Sequence, residues 1–254
     1  MRKLMIGDQI VKSFSEGDEK RIILDKVSVE IDQGEFVAIM GPSGSGKSTL
    51  LFALSGLDEI TSGHVLMNGR DLSELREKEL SDLRRRKMGI VFQQPTMLHN
   101  LNILDNIILP SVRDNRKNVA AITQKAVSLM ERIGIAGLED RDISQVSGGQ
   151  LQRAGICRAL MNNPEILFAD EPTGALNSTF AEGIMDIFSE INKEGIAILL
   201  VTHDAKVAVR AERILFMLDG KIVRELKLPK YKEGSRDNGS RIERITEQLR
   251  EIGI

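Results

Sequence analysis

Tryptophan is absent from this 254-residue chain, tyrosine and cysteine occur once each, and aromatic residues make up only 4%. So sparse an aromatic set excludes a stacking platform for single-stranded nucleic acid. The lone Cys157 cannot close an internal disulfide, which fits a reducing compartment. Long apolar runs are missing as well: the longest, residues 196–201, has six residues, against roughly 18–20 for a membrane-spanning helix. The stretch MRKLMIGDQIVKSF starts basic but lacks the apolar segment of roughly 7–15 residues that a secretory signal carries. Charge of one sign is not in excess either. Lysine and arginine number 35 and acidic residues 37, for a net charge of -2, so no nucleic-acid partner is expected. What is present is ordinary globular balance, 41% hydrophobic and 28% charged, enough for one α/β domain with a sizeable core.

Periodicity divides the chain into two strand groups with helices between them. Residues 5–14, 22–31, 36–40, 64–67 and 89–93 read as strands, as do 166–169, 197–202, 214–218 and 221–226, with Gly, Asp or Pro at their borders. Residues 95–164 read mainly as helices. Residues 117–133 are the clearest, with Val119, Ile122, Ala126, Leu129 and Ile133 at helical spacing and Gly134 at the end. An acidic-basic helix over 72–83 leads into Arg84, Arg85, Arg86 and Lys87, which reads as a solvated helix terminus complementing the dipole. After the polar linker 232–240, Ile242, Ile245, Leu249 and Ile252 fall on one helical stripe. A helix packed on its own core or on a second copy is the expectation there. A regulatory or membrane-surface helix is the alternative.

The chemistry starts at the end of the 36–40 strand. Gly41-Pro42-Ser43-Gly44-Ser45-Gly46-Lys47-Ser48-Thr49 matches G-x-x-x-x-G-K-[ST] between a buried-type strand and a helical run. Glycines let such a loop curl until its N–H groups converge on phosphate oxygens, and the helix that follows adds its positive end. Lys47 then faces the β and γ phosphates, and the Ser48 hydroxyl is placed to ligate magnesium. The apolar run ending in Asp170-Glu171 supplies two carboxylates at a strand's carboxyl edge, where α/β sheets bind ligands. Asp170 would hold the metal and Glu171 would polarise the attacking water.

A second glycine turn, Val146-Ser147-Gly148-Gly149-Gln150, opens another helix, with Ser147 as the expected N-cap. Lying 23 residues before Asp170, it resembles the signature of the ATP-binding-cassette (ABC) ATPases, whose usual form begins with Leu. The resemblance extends over residues 4–226. It implies an α/β fold: a P-loop NTPase (RecA-like) core with an antiparallel β subdomain and an α-helical subdomain inserted at about 95–164. The cassette would span 1–228, with a polar linker and amphipathic helix over 229–254. It implies ATP and Mg2+ as ligands and a homodimer in which the signature of one copy closes over the ATP held by the other. Phe14 falls where the family stacks an aromatic on adenine; a core Phe is the alternative. Gln93, expected at the end of its strand, matches the glutamine that touches magnesium and senses the transporter. His203 matches the switch histidine near the γ-phosphate.

Three positions, Asn177, Gly155 and Cys157, depart from the family pattern. Asn177 stands where Asp is usual, which puts a contact across the dimer in question. Gly155, inside the signature helix, costs about 0.8–1 kcal/mol relative to Ala, so close packing is the expected reason for it; Cys157 is expected in the core. Segments such as FVAIMGPSGSGKSTLL and ADEPTGALNS are similar to the cassettes of macrolide exporters, lipoprotein-releasing complexes and bacitracin-type peptide-resistance transporters. That resemblance implies an ATPase at the cytoplasmic face of the plasma membrane, powering a separate integral membrane permease for export, efflux or peptide resistance. An ATP-dependent clamp on a membrane protein in cell division is the alternative.

Overall fold

The continuous apolar runs of the sequence become strands buried on both faces, which is what a parallel sheet between two layers demands. A computed structural model describes residues 2–16, 19–113, 116–232, 234 and 237–253. In chain order the elements are strands β1 (Lys3–Glu16), β2 (Glu19–Asp32) and β3 (Phe36–Met40), helix α1 (Lys47–Leu54), strands β4 (Ser62–Met67) and β5 (Arg70–Asp71), helix α2 (Glu77–Lys87) and strand β6 (Met88–Val91). Helices α3 (Ile103–Val112), α4 (Val119–Ile133) and α5 (Gly148–Leu160) follow, then β7 (Ile166–Asp170), α6 (Ser178–Lys193), β8 (Ala197–Val201), α7 (Ala205–Ala208), β9 (Arg213–Leu218), β10 (Lys221–Lys227) and α8 (Asn238–Glu251).

Two sheets form. β2-β1-β4-β5 is antiparallel, and β10-β9-β3-β8-β7-β6 is parallel apart from its edge strand β10. Alternation along the parallel strands divides the interior into two cores. Phe36, Ala38 and Met40 of β3, Leu167 and Ala169 of β7, and Ile198 and Leu200 of β8 face α3 to α6. Val37, Ile39, Ile166, Phe168, Leu199 and Val201 face α1 and the antiparallel sheet. Each fully buried side chain of this size is worth about 1.5–3 kcal/mol, so a polar residue anywhere in β8 would cost more than its local helix or strand preference.

Several elements differ from the sequence expectation for physical reasons. Only Leu72–Glu74 forms a short 3-10 turn; Leu75 and Arg76 are extended, and α2 begins at Glu77, where Glu79 accepts from the Arg76 backbone. Arg84 and Arg85 are not solvated: their side chains are 19% and 11% exposed, Arg84 donating to the Gly56 carbonyl and Glu77, Arg85 to Asp82. Gly155 is not glycine for want of room. An added Cβ would lie 3.7 Å from Pro95 and 3.9 Å from Met97, ordinary contact distances. Cys157 is buried, and burial pushes its thiol up to about 12. α8 lies on the chain's own core, with Ile245 fully buried and Ile242, Leu249 and Ile252 packed beside it. Within the expected linker 232–240, residues 233, 235 and 236 lie outside the described residues.

Candidate functional site

Parallel register aligns the carboxyl ends of β3, β8, β7 and β6, and each strand delivers one piece of chemistry there. The loop from Gly41 to Gly46 leaves β3 and enters α1 through Gly46, whose φ of 96° suits glycine. Gly41 has no room for a side chain, since a Cβ would come within 2.2 Å of the Met217 carbonyl. Ser43 and Gly44 are exposed, and around Gly44 there is open space on the side a Cβ would take. Ser45 is 3% exposed, and among the described residues its hydroxyl has no hydrogen-bond partner. α1 also lacks a side-chain cap and acidic residues in its first turn, so its amino-terminal N–H groups are available to an anion. Lys47 is 7% exposed and donates to the Pro42 carbonyl at 2.7 Å. Burial holds its ammonium below the usual lysine value, against the pull of Glu171 and Asp170. A buried cation and an orphaned hydroxyl at an uncapped helix start fit a phosphate. Thr49 continues the first turn of α1, half-buried.

The Ser48 hydroxyl donates to Asp170 Oδ1 at 2.7 Å, joining α1 to the end of β7. Burial raises the Asp170 pKa, the Ser48 bond lowers it, and neighbouring Glu171 raises it. Two oxygen donors this close suit a hard divalent cation such as Mg2+. Glu171 has a φ of 43°, a left-handed conformation costing a non-glycine residue on the order of 1–3 kcal/mol. Its N–H donates to the Val201 carbonyl at 3.0 Å, and its carboxylate reaches His203 Nδ1 at 3.2 Å. Glu171 and His203 share a cleft of about 280 Å³ with Thr173, Gly174 and Ser178.

Gln93 lies two residues beyond β6 rather than ending it. Its amide stands against Gly174, where a Cβ would be 2.8 Å from Gln93 Nε2 and 3.3 Å from Glu171 Oε2. No local pattern marks Gly174, because the residue it faces lies 81 positions away. Among the described residues no hydrogen bond connects Gln93 to Ser48 or Asp170. Nor do Ser147, Gly148, Gly149 and Gln150 bond to the P-loop: they form a capping box, Gln150 N donating to Ser147 Oγ at 3.3 Å and Ser147 N to Gln150 Oε1 at 2.8 Å. Phe14 is 51% exposed, which removes the core alternative, and Lys12 Nζ sits 4.8 Å from its ring centre. Asn177 caps α6, accepting from Phe180 N at 3.1 Å.

Fold and site together define a P-loop nucleotide-binding protein. The ABC transporter family model matches residues 24–174, and the chain belongs to that family as an ATP-binding cassette. It is 41% identical over 215 residues to the macrolide export ATP-binding/permease protein MacB of Mannheimia succiniciproducens, covering 85% of this chain and 33% of that protein. It is 42% identical over 222 residues to the probable syringafactin export ATP-binding/permease protein SyfD of Pseudomonas syringae, 87% and 34% covered. The chain thus spans about a third of the length of the curated relatives it matches. Among solved structures, a dimeric ATP-binding cassette in a post-hydrolysis state with ADP and Pi superposes with a TM-score of 0.77 at 39% identity, covering 90% of this chain and all of that one. A nucleotide-free cassette from an ABC transporter gives 0.81 at 25% identity, with 99% of each chain covered.

Proposed function

We propose that this chain is the ATP-hydrolysing subunit of an export-type ABC transporter. Two copies enclose two Mg-ATP and drive a separate integral membrane permease from the cytoplasmic face of the plasma membrane. In this reading residues 1–228 form the cassette and 229–254 carry an appended helix. The observation that carries it is the single edge at which Lys47, the Ser48–Asp170 pair and the Glu171–His203 pair converge. The export assignment is supported by two relatives whose names describe export and join an ATP-binding part to a permease. Among the described residues no helix is long and apolar enough to cross a membrane.

The P-loop N–H groups, Ser45 and Lys47 bind the β and γ phosphates, and Phe14 stacks on adenine. Ser48 and Asp170, with Gln93 brought in, would hold Mg2+. When bound, the ion supplies charge that offsets the phosphate oxygens and the leaving ADP. Glu171 orients a water and takes its proton as the water oxygen bonds to the γ phosphorus and the bond to the β-phosphate oxygen breaks. His203 holds the Glu171 carboxylate and faces the γ phosphate. Ser147, Gly148, Gly149 and Gln150 of one copy close over the nucleotide on the other, and their capping box opens to release N–H groups for it. Exchange of ADP for ATP closes the dimer, and hydrolysis reopens it.

Glu171→Gln keeps the strained backbone and removes the proton acceptor. Turnover should fall roughly 10²- to 10⁴-fold while Mg-ATP binding persists and an ATP-bound dimer accumulates on size-exclusion chromatography. Lys47→Ala should form no such dimer. Hydrolysis at the unmodified rate in Glu171→Gln would contradict the assignment.

A further inference from the structure

Arg241, on the appended helix α8, is 2% exposed, more deeply covered than Lys47 in the phosphate loop. Its guanidinium is satisfied by backbone carbonyls. Nε donates to Val209 O at 3.2 Å, Nη2 to Val209 O at 2.9 Å and Ala211 O at 2.8 Å, and Nη1 to Pro229 O at 2.5 Å. Burying a cation is expensive, and Ile245 already anchors this helix in the core. What the cation accomplishes lies at the other end of its hydrogen bonds. Val209 is the residue that closes α7, and its carbonyl, at the negative end of the helix, attracts positive charge.

α7 is a single turn, and its first boundary is the catalytic edge. Asp204 caps it, accepting from Lys206 N at 2.8 Å, while Asp204 N donates to Thr202 Oγ1 at 3.0 Å. His203 stands between those two residues. Its side chain is 68% exposed and meets Glu171 at 3.2 Å, so few side-chain contacts hold the ring and the backbone beneath it sets its direction. The far end of α7 is gripped from two sides: Arg241 holds the Val209 carbonyl from α8, and Arg210 pairs with Asp186 of α6 at 2.8 Å. Tyr231 lies under both guanidinium groups, 4.5 Å from Arg210 and 5.8 Å from Arg241.

We infer that Arg241 is a positioning residue for ATP hydrolysis, pinning the carbonyl end of α7 to α8 and thereby fixing the approach of His203 to Glu171. The inference rests on the role proposed above for His203.

The test uses the full chain. Arg241→Met keeps the apolar stem and removes every donor; Arg241→Lys keeps the charge with fewer donors and carries the test if the Met variant does not fold. Folding is checked by thermal melting and Mg-ATP binding. In Arg241→Met, kcat should fall roughly tenfold, as small misplacements of a reacting group do, with KM for ATP changed by less than about twofold, and Arg241→Lys should recover part of the loss. The ring resonances of His203 should move while those of His64 stay in place. In a His203→Ala background, Arg241→Met should cause no further fall in kcat. A folded Arg241→Met protein with unchanged kcat and unmoved His203 resonances overturns the inference. So does an equal fold-loss with and without His203. Should His203→Ala hydrolyse ATP at the normal rate, the role of His203 itself fails, and any loss in Arg241→Met then refutes action through it.

Discussion

Replacing Gly155 by alanine should stabilise the protein, although glycine inside a nucleotide-site helix invites the opposite expectation. The added Cβ would meet Pro95 and Met97 at 3.7 and 3.9 Å, so nothing has to move. Helix propensity then favours alanine by about 0.8–1 kcal/mol, and a methyl placed in this buried position of α5 adds up to about 0.8 kcal/mol. At about 2–4 °C per kcal/mol for a chain of this size, the melting temperature should rise by roughly 2–7 °C. Gly89→Ala provides the contrast, because its Cβ would come within 2.2 Å of Leu167 Cδ2 and 2.8 Å of the Ala159 carbonyl. Overpacking of that kind costs about 1–3 kcal/mol. Calorimetry of both variants without nucleotide, at equal concentration, measures the difference directly. A lowered melting temperature in Gly155→Ala, or none in Gly89→Ala, would refute the reasoning from local space.

Asn177→Ala should lose about 1 kcal/mol with the α6 cap, whereas Asn177→Asp keeps the acceptor and adds about 0.3–1 kcal/mol through charge at a helix start; urea unfolding separates the two. Asp170→Asn should stabilise the nucleotide-free protein. Burial raises the Asp170 pKa, so the carboxyl's favourable contribution is present at low pH and lost as pH rises through the raised value. The gain should therefore appear at neutral pH and vanish in acid, when melting temperature is followed against pH, while ATP hydrolysis is lost. Cys157, buried and with its thiol pushed up to about 12, should resist iodoacetamide at pH 8 until denaturant is added; rapid labelling of the folded protein would contradict the burial.

How much was legible in the sequence depended on where the deciding contact lies. β3, β7 and β8 are buried on both faces, so their runs are apolar without interruption and their bounds were nearly right. β6 stops at Val91 although Phe92 continues the apolar run, because the Phe92 carbonyl accepts from Gln152 Nε2 of α5 at 3.0 Å instead of from a strand. The helix expected over 72–83 breaks because Asp71 Oδ1 accepts from Ser73 N at 2.9 Å and closes a turn of its own. Ser48 and Asp170 could be paired by motif, since each half has a local signature. Gly174 and Arg241 could not: what they touch is decided by packing between distant elements, and no local pattern marks either residue.

The order of the strands also sets when this site can come into being. β8 separates β3 from β7 in the sheet, yet it leaves the ribosome last of the three. A nascent chain released as far as α6 holds the phosphate loop and both carboxylates but lacks the strand that spaces them, and the Ser48–Asp170 contact spans 122 residues. Nucleotide competence therefore arrives abruptly, once β8 has emerged. Until then β3 and β7 present unpaired apolar edges, and synthesis itself becomes the interval in which this protein is most exposed to misassociation.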